Sequence, residues 1–277
     1  MIISVESLQE KIKKEENLAI LDVRFSLQDI EAGKKAYQQD HIPGAFHLDL
    51  KDDLASPAQE HGGDNPLPDP NILADKLGKI GIDEETTVVI YDEDNKMFAA
   101  RAWWVLHYIG LEEVYILDGG YKLWKEKGQE TSTEIPSPKE KTFTAKAKDH
   151  LYVNIDTVKE KLASKEAVLI DSRAPGRYRG DNEPLYKKAG HIPGAVNFHY
   201  TDVYQEDGTW KSKEELQKVF AKLSKDQEII VSCGSGVSAC PNIIGLNKSG
   251  FTNVKLYPGS FSDWVSYNDN EVVKGDE

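Results

Sequence analysis

The chain has 277 residues, of which 39% are hydrophobic and 29% charged, and carries a net charge of −13. That length accommodates two domains of ordinary size, and the acidity argues against nucleic acid as a partner, because phosphate binding needs a basic face. No apolar run approaches a bilayer span, the N-terminus lacks the basic-then-apolar order of a secretion signal, and two cysteines are too few for a disulfide scaffold or an unaided zinc site. The expectation is a cytoplasmic chain with reduced thiols, no membrane association and no metal or organic cofactor.

In chain order, the hydrophobic pattern predicts a strand over 18–23, a helix over 71–79, a strand over 87–91, a helix over 96–109, a strand over 114–117 and a helix over 120–127. Residues 129–150 are rich in Thr, Lys, Glu and Pro and read as an extended surface linker. Beyond it come a strand over 167–170, an amphipathic helix over 213–223, a strand over 228–232, a helix over 240–248 and a strand over 254–257. Apolar strands alternating with helices predict an α/β fold, each half a mostly parallel sheet with helices on both faces. In such sheets the functional loops follow the carboxyl ends of the strands.

The chain also repeats itself. Leu21-Asp22-Val23-Arg24 matches Ile170-Asp171-Ser172-Arg173, and His41-Ile42-Pro43-Gly44-Ala45 matches His191-Ile192-Pro193-Gly194-Ala195. Val88–Asp92 matches Ile229–Cys233, and Gly120–Trp124 matches Ser260–Trp264. Four matches in the same order argue for a duplicated domain, with copies over 1–128 and 151–277. His41 and His191 occur in both copies and are therefore read as structural.

One loop carries the chemistry. The apolar strand ending at Ser232 runs into Cys233-Gly234-Ser235-Gly236-Val237-Ser238-Ala239-Cys240, after which a helix begins. Gly234 and Gly236 permit backbone angles closed to other residues. A tight curl of small residues turns several N–H groups inward, and the following helix adds its positive end. Such a cradle stabilises an anion at its centre, either a thiolate or an adduct on the sulfur, so Cys233 reads as a nucleophile. Cys240, seven residues on, is either a small buried hydrophobe or a resolving thiol.

This loop, with the two Asp-x-Arg segments and the two His-Ile-Pro-Gly-Ala motifs, resembles the rhodanese superfamily, most closely its tandem-domain thiosulfate and 3-mercaptopyruvate sulfurtransferases. The resemblance covers essentially the whole chain. It implies two rhodanese-like domains, of which the first is inactive because Asp92 stands where the second has Cys233. It further implies that a small anionic donor loads sulfane sulfur onto Cys233 as a persulfide. The sulfur would then pass to a thiol acceptor, such as a thioredoxin-like protein or a small dithiol, or to cyanide. Cysteine phosphatases have a similar loop with an arginine six residues after the cysteine; here that position is Ala239, so phosphatase chemistry is not expected.

Within the resemblance, Arg177 of Gly176-Arg177-Tyr178 is the expected substrate-binding cation, alongside the loop residues Gly234, Ser235, Gly236, Val237 and Ser238. Arg173 is an accessory that braces the loop. Thiosulfate-type members carry two basic residues directly after the cysteine, whereas this chain has Gly234-Ser235, the mercaptopyruvate type. Those enzymes often add a second arginine before the His-Ile-Pro-Gly-Ala motif; here only Lys187 and Lys188 are candidates to replace it. They are also proposed to use the loop serine with a first-domain histidine and acid, for which His61 and Asp52 or Asp53 are the candidates. Two other function classes stay open on sequence alone: a non-catalytic persulfide carrier, and a thiol-redox protein using Cys233 and Cys240.

Overall fold

The computed structural model describes residues 1–14, 17–94 and 97–276. They pack as two compact units: Met1–Ser56 with Leu67–Lys148 and Glu206–Trp210, and Pro57–Pro66 with Asp149–Gln205 and Lys211–Glu277. The second unit thus includes a ten-residue segment, Pro57–Pro66, from within the first repeat.

The first unit contains β1 (Ile2–Ile3), α1 (Val5–Lys13), β2 (Leu18–Asp22), α2 (Ala32–Gln39), β3 (Ala45–His47), α3 (Pro70–Lys79), β4 (Thr87–Tyr91), α4 (Met97–Tyr108), β5 (Val114–Leu117) and α5 (Gly120–Glu126). Its strands form one parallel sheet in the order β1-β5-β4-β2-β3. The central strand β4 is apolar and buried from Val88 to Tyr91, as a strand flanked on both edges and covered by helices must be. Caps fix the helix starts: the Ser4 hydroxyl accepts from Ser7 N–H, and the Asp69 carboxylate accepts from Asn71 and Ile72. Lys96, where the sequence pattern starts the α4 helix, lies outside the described residues. The segment after α5 stays against this unit, through an antiparallel bridge of Ser132 to His41 and backbone bonds from Lys141, Lys146 and Lys148 to Gly78, Ile109 and Tyr108.

The second unit repeats the plan with α6 (Ile155–Ser164), β6 (Ala167–Asp171), α7 (Pro175–Arg179), β7 (Ala195–Asn197), α8 (Lys213–Val219), β8 (Glu228–Ser232), α9 (Cys240–Ser249), β9 (Val254–Leu256) and α10 (Ser260–Ser266). Its parallel sheet runs β7-β6-β8-β9, and a single bridge from Tyr152 to Leu256 stands where the first unit has β1. The helix expected over 213–223 stops at Val219. Phe220 leaves helical geometry at φ −97°, ψ 17°, and its ring is buried against Phe198 and Phe251, so core docking overrides the helical pattern.

Both histidines of the repeated motif are fully buried. His41 stacks on Tyr37 and bonds its carbonyl through Nδ1 at 2.7 Å; His191 does the same with Tyr178, at 2.9 Å. In each unit the histidine's backbone also bridges to the strand-like segment that follows the last helix, at Ser132 and at Val273.

Candidate active site

Strand β8 is a middle strand of its sheet, and Cys233 is the first residue past its carboxyl end. The residue is 1% exposed. Its Sγ accepts the Gly236 N–H at 3.2 Å, the geometry of an anion cradle closed by one turn of backbone. Gly236 makes that turn at φ 76°, and a side chain there is excluded because a Cβ would stand 2.3 Å from the Pro258 carbonyl oxygen. Helix α9 begins at Cys240 with Pro241 in its first turn, directing its N-terminal end at the same loop.

Helix α10 holds the loop from behind. Cys233 N–H donates to Ser260 Oγ at 3.0 Å, while that hydroxyl donates to Tyr257 O at 2.8 Å. Phe261 and Ser262 N–H donate to the carbonyls of Cys233 and Gly234 at 3.0 and 2.8 Å. Ser260 adopts φ 53°, a left-handed conformation that a serine takes only against a steric cost. Cys240 is fully buried and its thiol donates to Gly236 O at 3.5 Å, so it supports the loop's backbone. Neither cysteine is in a disulfide.

Two arginines line the opposite wall, joined by one carboxylate. Glu183 accepts from Arg177 Nε and Nη2 at 3.1 and 2.8 Å and from Arg173 Nη1 at 3.1 Å. Arg173 is buried; it also grips Asp171, donates to Gly190 O at 2.7 Å, and stacks 3.9 Å over the Phe261 ring. It therefore braces the elements around Cys233. Arg177 is different. Its Nη1 and Nη2 lie 3.6 and 3.7 Å from where a Cβ on Gly234 would stand, and Nη1 carries no hydrogen bond among the described residues. A half-exposed guanidinium edge beside Gly234 presents donors of the kind that bind anions.

Three side chains not singled out from sequence complete the site. Tyr186 OH stands 3.3 Å from the same Cβ position and donates to Asp64 Oδ2 at 2.9 Å. Burial first, and then the neighbouring charges of Asp64 and Cys233, push its ionisation well above the ordinary phenol range, so it is a neutral donor. Asn65, buried, donates through Nδ2 to Ser235 Oγ at 2.9 Å. Asp64 and Asn65 belong to the segment Pro57–Pro66, which is also tied to α10 by Gly62 N–H to Asp263 Oδ1 at 2.8 Å.

The other sequence candidates lie as follows. His61 is exposed, bonds Ser266 Oγ at 2.7 Å and stacks on Tyr267, while Asn65 from the same segment meets Ser235. Asp53 is tied in the first unit to the Asp49 N–H and to Lys76, and Asp52 is exposed there. Lys188 donates to the carbonyls of Asn268 and Asn270 at 2.9 and 2.8 Å, which commits its ammonium elsewhere; Lys187 is exposed. Of the loop residues, Val237 is buried, and Ser235 and Ser238 are half-buried.

The rhodanese-like domain model matches this chain twice, over residues 4–127 and 154–267. The chain belongs to the rhodanese-like family. It is 39% identical over 267 residues to a probable 3-mercaptopyruvate sulfurtransferase of Pseudomonas aeruginosa, covering 95% of this chain and 94% of that one. It is 34% identical to the thiosulfate sulfurtransferase of Cricetulus griseus, over 95% of this chain and 91% of that one. Among solved structures, SseA of Escherichia coli, described as a 3-mercaptopyruvate sulfotransferase, superposes with a TM-score of 0.82 at 32% identity, over 94% and 98% of the two chains. With this family and these relatives the chain is a sulfurtransferase. Among the described residues no helix is long and apolar enough to cross a membrane, and no cluster of three metal-ligating side chains occurs.

Proposed function

We propose that this chain transfers sulfane sulfur through a Cys233 persulfide, taking it from a small anionic donor, 3-mercaptopyruvate in the first place, and giving it to a thiol. The observation that carries the reading is the Gly236 N–H on Cys233 Sγ at 3.2 Å, at the carboxyl end of β8. A sulfur seated there receives a backbone donor and faces a helix N-terminus, groups placed to stabilise negative charge that develops on it during transfer.

In the first half-reaction the Cys233 thiolate attacks the donor's sulfur. A sulfur–sulfur bond forms and the donor's carbon–sulfur bond breaks, its electron pair passing to carbon. The resulting enolate takes up the proton that the donor thiol gives up and leaves as pyruvate. Arg177 holds the donor's carboxylate, which fixes the angle of approach. In the second half-reaction an acceptor thiolate, from a small dithiol or a thioredoxin-like protein, attacks the outer sulfur and Cys233 leaves as thiolate; cyanide serves equally as acceptor. The absence of any Lys or Arg from Gly234 to Cys240 supports a donor bearing one carboxylate over thiosulfate, whose terminus would meet backbone donors and a single guanidinium. Two cysteines outside any disulfide also fit a reducing compartment, the cytoplasm.

The test is direct. Reduced protein incubated with 3-mercaptopyruvate gains the mass of one sulfur, mapped to Cys233, and turns over in the presence of a dithiol. Unchanged turnover by Cys233→Ser sinks the reading. A persulfide that forms without turnover of free donor points instead to a carrier. Loss of activity in Cys240→Ser would favour a two-thiol redox cycle.

A further inference from the structure

We infer that Tyr186 is the second anion-binding donor of this site, and that Asp64 holds its phenolic proton until the sulfur donor arrives. The inference rests on the proposed reading of Cys233 and Arg177 and names the specificity-determining residue for that reaction.

A single guanidinium edge holds a carboxylate poorly unless another donor fixes its second oxygen. Lys188 is bonded to two backbone carbonyls. The group that does stand over Gly234 is the Tyr186 hydroxyl, 3.3 Å from the position of a Cβ there, beside Arg177 Nη1 at 3.6 Å. The phenol is rigidly presented. Its ring meets Phe261 edge-on at 5.7 Å, Phe261 N–H is bonded to Cys233 O, and the Arg177 guanidinium lies 5.6 Å from the ring centre. Donor, cation and nucleophile are thus registered on one framework.

A phenol has one proton. In the free protein that proton points to Asp64 Oδ2, at 2.9 Å. Donation to a bound carboxylate requires release from Asp64, so substrate binding competes with an internal acceptor. With Arg177 Nε and Nη2 already on Glu183, the site offers Nη1 and the phenol, two donors that match the two oxygens of a thiol-bearing 2-oxo carboxylate and fall short of the three oxygens and double charge of thiosulfate.

The experiment is steady-state kinetics with 3-mercaptopyruvate and with thiosulfate for the full chain, Tyr186→Phe, Asp64→Asn, the double variant and Cys233→Ser. Tyr186→Phe should raise KM for 3-mercaptopyruvate about tenfold and leave kcat within about twofold, the signature of a lost charged hydrogen bond made equally in ground and transition states. Asp64→Asn should lower that KM by about threefold, since an amide can donate to the phenol oxygen and frees its proton. In the double variant the gain disappears, because it acts through the phenol. Thiosulfate should respond less to all three. An unchanged KM in Tyr186→Phe overturns the inference. So does a double variant that keeps the Asp64→Asn gain, which would then be a bare charge effect. Should Tyr186→Phe fail to fold, an unchanged or raised KM in Asp64→Asn overturns it alone. Turnover by Cys233→Ser would instead break the underlying reading of the site.

Discussion

Where the second repeat presents a sulfur, the first presents a carboxylate. Asp92 follows β4 as Cys233 follows β8, and the registers of the two strands against β2 and β6 are the same, Tyr91 opposite Asp22 and Ser232 opposite Asp171. The carboxylate is buried and its Oδ2 accepts the Ala99 N–H, in the first turn of α4, at 3.0 Å. The sulfur accepts the Gly236 N–H at 3.2 Å. Both copies therefore keep a place for an anion at a helix N-terminus. In the first a carboxylate occupies it; in the second a cysteine sulfur does, which on the function proposed above gains and loses a second sulfur. The supporting parts differ in the same sense. Arg24 leans on Tyr121 at 4.3 Å as Arg173 leans on Phe261 at 3.9 Å, but where the first copy turns on Gly120 at φ 62°, the second turns on Ser260 at φ 53°. The serine accepts backbone strain and in return caps the Cys233 N–H.

The largest test of this contrast is Cys233→Ser, for which sulfur loading and turnover should fall by at least about a thousandfold, with the thermal midpoint unchanged. Intact mass and a scanning melt check it, and retained turnover would remove the distinction between the copies. Arg177→Lys keeps the charge but loses the fork; kcat/KM for 3-mercaptopyruvate should drop by about thirtyfold, mostly through KM. Asp92→Ala should behave oppositely to both. Removing the carboxylate from α4 should cost about 1–2 kcal/mol of stability in denaturant unfolding while sulfur transfer proceeds normally. Gly120→Ser asks whether the strained turn is tolerable without its purpose, and about 1 kcal/mol of destabilisation is expected. The smallest effect is that of Cys240→Ala, which removes a weak thiol donor; turnover should persist with a stability change under about 1 kcal/mol.

Much of this arrangement was legible in the residues. The order of Asp-x-Arg, His-Ile-Pro-Gly-Ala, strand, loop and aromatic-x-x-Trp marked the duplication. The apolar run into Cys233 and its glycines marked the cradle, because those signals are local. Tyr186 with Asp64 and Asn65 with Ser235 were not legible. These pairs lie 122 and 170 positions apart, and no periodicity connects them. In the segment that holds His61, the residue that meets Ser235 is Asn65, an amide with nothing in its type to announce it. Lys188 had the right charge near the right motif; the chain's return after α10 supplies the carbonyls that engage it. Ser260 was hidden for another reason, since propensity assigns left-handed backbone to glycine and only the closed loop can force it on a serine.

The membership of Pro57–Pro66 in the second unit bears on how such a gene can change. The two halves look like separable cassettes, but a reading frame cut in the stretch after α5 would leave the cysteine-bearing half without Asp64 and Asn65, and so without the groups that meet Tyr186 and Ser235. The repeat that carries Asp92 in place of a cysteine thus lends ten residues to the unit that carries Cys233. Recombination that moves the Cys233-bearing half alone would leave those ten residues behind.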